Sequence, residues 1–355
     1  MKWILIFFTF VIFSLPHPTS AQSYISELDI IHDERVTYAN WDNTYTRILT
    51  TSDDGTIRMS DAQSGDVIWE MIYDNSISGA SWNPDKSHIV AWTINNELLL
   101  INTELGIITD KFATNKAVKN GFWKSDGTAF VFYDDHILNI QTVRDQTFSD
   151  GIFAQESPEA ILSAQWSVDE SQMLVLDETN HLTIWDLDSQ ENIMTYTFPE
   201  ETTGIAQTTD ATRFVSWGAD SGVILWLVAG DEIRRVDTVR HTRTFVIGAK
   251  WVMNDTQLLT WGADETARLW DVASGNQLLQ FKHTDWVTGA NLNTDGTKLV
   301  TWAYQFAYVW DVETGDLIRQ ALHDNLVSGA ILNGDETRLL TWGWDGKARV
   351  WNLEG

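Results

Sequence analysis

This chain has no cysteine, five prolines, and only 23 lysines and arginines against 50 aspartates and glutamates. The missing cysteine excludes disulfides, thiol chemistry and a lipidated-cysteine anchor. The formal net charge of −27 argues against nucleic acid and anionic membranes as partners of the bulk surface. Long apolar runs are scarce too. Trp3 to Leu15 is one, it follows Lys2, and no second hydrophobic segment appears. A membrane span needs about 20 apolar residues, so this shorter run, followed by Thr19-Ser20-Ala21, reads as a secretory signal peptide over residues 1–21. The expected location is secreted or periplasmic after cleavage near Ala21. Losing Lys2 with the leader makes the mature chain still more acidic. No Pro- or Ser-rich linker divides the mature chain, so 22–355 reads as one domain, long enough to stand on its core without disulfides.

A helical apolar period is also missing, and a repeat stands in its place. Small residues sit inside strand-like runs at Ala39, Ala80, Gly121, Ala164, Ala206, Ala249, Ala290 and Ala330, 40 to 43 residues apart. Such a period means one supersecondary unit copied in tandem, each copy burying its apolar faces against its neighbours. The last copy is the clearest. Val327 to Leu332 reads as a first strand, and TRLLTWGWDGKARVWN reads as a hairpin turning at Asp345-Gly346. TQLLTWGADETARLWD and TRFVSWGADSGVILW repeat that hairpin, and Leu317 to Ala321 supplies a fourth strand after Asp311 to Asp316.

Trp185-Asp186, Trp270-Asp271 and Trp310-Asp311 end third strands, while His283 to Val287 and His323 to Val327 lead into first strands. On these residues the region from 24 to 355 resembles the WD-repeat β-propeller family, and its leader suggests an exported, bacterial type. The expected fold is all-β: a single eight-bladed β-propeller of four-stranded antiparallel blades, rather than the family's commoner seven. The last blade ends after its third strand, so Tyr24 to Ile31 is expected to close the ring as its outer strand.

The resemblance also implies a hydrogen-bonded chain of His, Ser or Thr, Asp and Trp within a blade. By register these are His241, Thr260, Asp264 and Trp270 in blade six, and His323, Thr341, Asp345 and Trp351 in blade eight. Blade one keeps His32, Thr50 and Asp54, but has Ser60 for the Trp. Blade five has Ser216, Asp220 and Trp226. Blade seven has His283, Thr301 and Trp310, with Gln305 at a shorter turn. A hydrolase triad would need one exposed nucleophile, whereas a set recurring in register serves buried polar groups. The 19 tryptophans are read likewise as packing. Trp92, Trp217, Trp261, Trp302 and Trp342 share a second-strand position that usually holds Gly in the family.

No metal cluster, calcium loop or phosphate-binding glycine loop is visible, so neither metal nor cofactor is expected, and no enzyme. Asp61 to Trp69 resembles the tryptophan-docking motif of quinone-dependent dehydrogenase propellers, but occurs once with its Trp. A basic cluster, Arg234, Arg235, Arg240 and Arg243, reads as protection of an outer edge. Tyr304, Phe306 and Trp344 fall on second-to-third-strand turns of adjacent blades, outside the repeated packing positions. They either form a partner-binding hot spot or fill the mouth of the central channel. The function expected is a non-catalytic extracytoplasmic scaffold for a protein or peptide. Glycan or cell-wall binding, or a non-catalytic relative of the dehydrogenase propellers, is the alternative.

Overall fold

The computed structural model describes residues 25–219, 222–229, 232–241 and 245–354. The leader, Asp220 and Arg243 lie outside them. The described elements form eight four-stranded antiparallel sheets. These are the eight blades, arranged as a β-propeller. Seven are built from consecutive strands. The eighth runs Leu28–Ile31, Lys347–Asn352, Arg338–Gly343, Val327–Leu332 from rim to axis, so the N-terminal strand closes the ring as its rim strand. The pairs Leu28↔Val350 and Ile31↔Lys347 fix the register at that seam, and Ile30 is buried. Among the described residues no helix is long and apolar enough to cross a membrane.

The first strands of neighbouring blades meet one another around the axis. Crowding there accounts for the small residue in each, such as Ala290 opposite Thr301 and Ala330 opposite Thr341. Rim strands such as Val67–Ile72 and Glu191–Thr197 are mostly open to solvent. The apolar cores lie between blades. One joins Leu340, Ala348 and Val350 of blade eight to Val36, Ala39 and Trp41 of blade one.

The tryptophans at the unusual second-strand position have a specific partner that the sequence pattern did not announce. Each lies over a glycine of its own first strand: Gly79 under Trp92, Gly204 under Trp217, Gly248 under Trp261, Gly289 under Trp302 and Gly329 under Trp342. A Cβ on any of these glycines would sit 2.0–2.4 Å from an indole carbon, closer than side chains tolerate. The indole thus fills the space a missing side chain leaves, and reaches the core shared with the next blade, as Trp342 does towards Tyr38 at 6.5 Å.

Trp69 behaves as a docking tryptophan. Its Nε1 donates to the Thr103 carbonyl at 2.9 Å and its ring covers Gly106, clasping blade one to blade two. In the basic cluster, Arg235 lies on the rim strand Glu232–Arg240 and pairs with Glu200 at 2.7 Å.

Candidate partner-binding face

The loops that lead into first strands and the second-to-third-strand turns share one face of the ring, and buried polar chains pin them together. In blade eight His323 Nδ1 lies 2.9 Å from Asp345 Oδ1, and its Nε2 lies 2.7 Å from Thr341 Oγ1. Trp351 Nε1 donates to the same hydroxyl at 2.8 Å. Blade six repeats this with His241, Asp264, Thr260 and Trp270 at 2.7–2.8 Å, although its histidine sits one residue further from the strand. Blade one has His32 on Thr56 and Thr50, and Ser60 Oγ is left without a partner where blades four to eight place Trp. Blade seven joins His283 and Trp310 through Thr301, with no Asp at its shorter turn. In blade five Trp226 donates to Ser216 at 2.8 Å.

A Thr–His–Asp chain has the connectivity of a hydrolytic triad. Here, however, His323, Thr341 and Trp351 are all 0 % exposed, and the hydroxyl is already engaged by two donors or acceptors. A substrate carbonyl has no way to it, and these four residues tie loop to turn. Among the described residues no three His, Cys, Asp or Glu side chains are grouped to hold a metal ion.

Burial also sets the protonation of these rings. His32 is pulled from its ordinary 6.5 to about 4 by burial, with the Arg58 charge adding to the shift, and His283 reaches about 4 by burial. Between those values the unfolded chain takes up protons that the folded chain refuses. Their contribution is therefore complete above pH 6.5 and is lost as pH falls towards 4. At pH 5 the loss is about 2 kcal/mol per histidine. Urea midpoints at pH 7.5 and 5.0 should show it, with a flatter pH slope in His283→Gln; identical slopes would refute it.

Exposed aromatics gather on this face in blades six to eight. Phe245, Trp286, Tyr304 and Trp344 are each 50–53 % exposed. Phe245, Trp286 and the half-buried Leu326 hold one register position, directly before the first strands at Val246, Val287 and Val327. Tyr304 and Trp344 hold the facing turn position. The Tyr304 carbonyl accepts the Val327 N–H at 2.8 Å across the blade boundary, and the Leu326 carbonyl accepts the Trp344 N–H at 2.8 Å. Trp344 carries the Arg35 guanidinium 4.7 Å from its ring centre, and Arg35 is held by Asp53 at 2.8 Å.

Of the three residues singled out in the sequence, Tyr304 and Trp344 stand on this surface. Phe306 does not. It starts the strand Phe306–Asp311, is half-buried, and packs 6.0 Å from Tyr308 within the core shared by blades six and seven. Phe245 and Trp286 were missed, although an aromatic just before a first strand in consecutive repeats was available as a signal. Around the patch, Asp33, Glu34, Glu265 and Asp324 are exposed.

Residues 26–61 match the family model for the WD domain, G-beta repeat. The chain carries a WD repeat. Its match covers the closing strand and most of blade one. No curated protein matches the chain. Among solved structures, the C-terminal WD40 domain of Sif2 superposes with a TM-score of 0.78 at 13 % identity, over 93 % of this chain and 98 % of that one. Sqt1 from Chaetomium thermophilum superposes with a TM-score of 0.78 at 12 % identity, over 92 % and 98 %. At these identities the likeness concerns the fold. Neither neighbour lends support to the bacterial type expected above.

Proposed function

We propose that this WD-repeat propeller is a non-catalytic, exported scaffold that binds a protein or peptide through the aromatic patch of blades six to eight. One observation carries the reading: four half-exposed aromatics at two register positions in three consecutive blades. Large apolar side chains held on rigid turns lose little freedom on binding and supply the anchors of most interfaces. The acidic residues around them favour a partner segment that is basic as well as apolar. Export rests on the leader read in the sequence. The buried, doubly engaged hydroxyls support the non-catalytic part.

A crosslinking pull-down from the extracytoplasmic fraction tests it, with wild type set against a Trp286→Ala, Tyr304→Ala, Trp344→Ala variant. The variant should melt close to wild type, because these side chains stand in solvent, and should lose capture by at least about thirtyfold. Equal capture by both proteins would move the interface elsewhere. Capture of insoluble polysaccharide in place of protein, lost in the variant, would select a glycan partner, since exposed Trp faces also stack on sugars.

A further inference from the structure

The strand register lets blade four be laid on blade eight residue by residue. Ala164↔Val175 corresponds to Ala330↔Thr341, Val175↔Thr183 to Thr341↔Arg349, and Met173↔Trp185 to Leu339↔Trp351. Blade four therefore has Ser157 in the place of His323, Val175 for Thr341, Thr179 for Asp345 and Thr183 for Arg349, while Trp185 remains. Other blades fill this space from within. In blade eight Arg349 lies 3.0 Å from both Asp345 and Asp324, and in blade six Arg268 lies 2.6 Å from Asp264. Blade five places Phe198 there, 5.2 Å from Trp226, and blade seven places His283 and Tyr308, 4.8 Å apart.

Blade four has small side chains at both the His and the Arg positions. A cavity of about 430 Å³ opens there between blades three and four. Ser157, Val175, Thr179, Thr183 and Trp185 all line it. Blade three, with Thr114 and Asn139 at the two positions, has a smaller cavity of about 130 Å³ lined also by Lys116. The larger cavity thus has the place of a missing imidazole and guanidinium.

Its walls fit a guanidinium on an aliphatic stem. Leu138, Ile161 and Trp185 give an apolar slot. Glu156, Glu159 and Asp177 line it as well, and among the described residues Glu156 and Glu159 make no ion pair. Asp177 lies 3.5 Å from His181 at the rim. Trp185 Nε1 has lost the hydroxyl acceptor that Thr341 gives Trp351, because Val175 stands there. The loop is tied to blade three, for Ser157 N and Ile161 N donate to the His136 and Asp135 carbonyls, each at 2.6 Å. Arginine suits such a site, because its stem packs on apolar walls while its planar head meets carboxylates and an indole face.

We propose that this cavity is a second binding site, which takes an arginine side chain from a partner peptide into the space that Arg268 and Arg349 fill in blades six and eight. It is separate from the aromatic patch.

The test is calorimetric titration of acetyl-Gly-Arg-Gly-amide into the mature protein, with the citrulline and lysine tripeptides alongside. Arginine should bind saturably, and citrulline, equal in shape but neutral, at least about tenfold more weakly. Thr183→Arg, which fills the cavity from within, should abolish binding and melt no lower than wild type. Glu159→Gln should weaken binding with the fold intact. The Trp286→Ala, Tyr304→Ala, Trp344→Ala variant should bind the tripeptide as wild type does, which keeps this result independent of the patch. No saturable binding, citrulline binding as well as arginine, or unchanged binding in a folded Thr183→Arg protein would each overturn the proposal.

Discussion

A chain truncated to start at His32 is expected to lose on the order of 5 kcal/mol of stability and to unfold over a broadened urea transition. The deleted strand Leu28–Ile31 forms four register pairs with Lys347–Asn352. Two further backbone bonds flank it, Glu27 N to the Val350 carbonyl at 2.8 Å and His32 N to the Gly346 carbonyl at 2.7 Å. Backbone bonds contribute about 0.5–1.5 kcal/mol each, and burying Ile30 adds about 2 kcal/mol. Removal also bares the edge of Lys347–Asn352, a template for pairing with another chain. Ile30→Asp should act in the same direction with the chain length kept, by putting a carboxylate into the core shared by blades eight and one. An unfolding free energy within about 1 kcal/mol of wild type in both proteins would mean that the ring does not depend on its closure.

Asp345→Ala is expected to cost about 3–5 kcal/mol, the scale of breaking a buried charge pair from one side. Its carboxylate takes His323 Nδ1 at 2.9 Å, the Asp324 N–H at 3.0 Å and Arg349 at 3.0 Å. Burial works against its charge, but the His323 hydrogen bond and the charges of His323 and Arg349 outweigh that and hold the carboxyl below the usual carboxylate range. The contribution is therefore present above the ordinary pKa of 3.8 and is lost as pH falls beneath it. Without the carboxylate, the buried His323 Nδ1 loses its partner and the buried Arg349 guanidinium loses one of its two carboxylates at 3.0 Å, keeping Asp324. The corresponding change in blade four, Thr179→Ala, removes a hydroxyl from a turn that has no such chain, and should cost about 1 kcal/mol. Equal losses in the two variants, read from urea midpoints, would show that the chain in blade eight is no more than local turn chemistry.

The architecture was legible because it is written eight times. Alternation, turn residues and the small residue of each first strand recur often enough that degenerate copies, such as Ala129–Tyr133 in blade three, are placed by their neighbours. Closure was legible from a blade one strand short and a leading segment with no blade of its own. The His–Thr–Asp–Trp chains followed from register too, even where His241 sits one residue out of step, because a loop absorbs the extra residue without moving the ring.

The candidate surface was read less well, for reasons that are physical. Phe306 resembles a turn aromatic in sequence, but pairing with Ala303 already makes it the first strand residue, and its ring turns inward. Trp286 is half-exposed one position before buried Val287, a distinction that strand parity decides and composition does not. The glycine beneath each second-strand Trp lay outside the signal altogether, since the two residues are partners across a hairpin whose register only the fold displays. A cavity arising from two small residues, Ser157 and Thr183, is silent in sequence until the repeats are superposed.

The closing strand also sets a clock. Leu28 is among the first described residues to be synthesised, and its partner Val350 among the last, so their pairing must wait for nearly the whole chain. At typical elongation rates that interval is on the order of half a minute. During it, blades one to seven can collapse in sequence order while the rim strand of blade eight remains unpaired. Whatever holds that short segment in solution until Lys347–Asn352 arrives governs the yield of closed rings, and a chain released early would present two complementary edges to its neighbours.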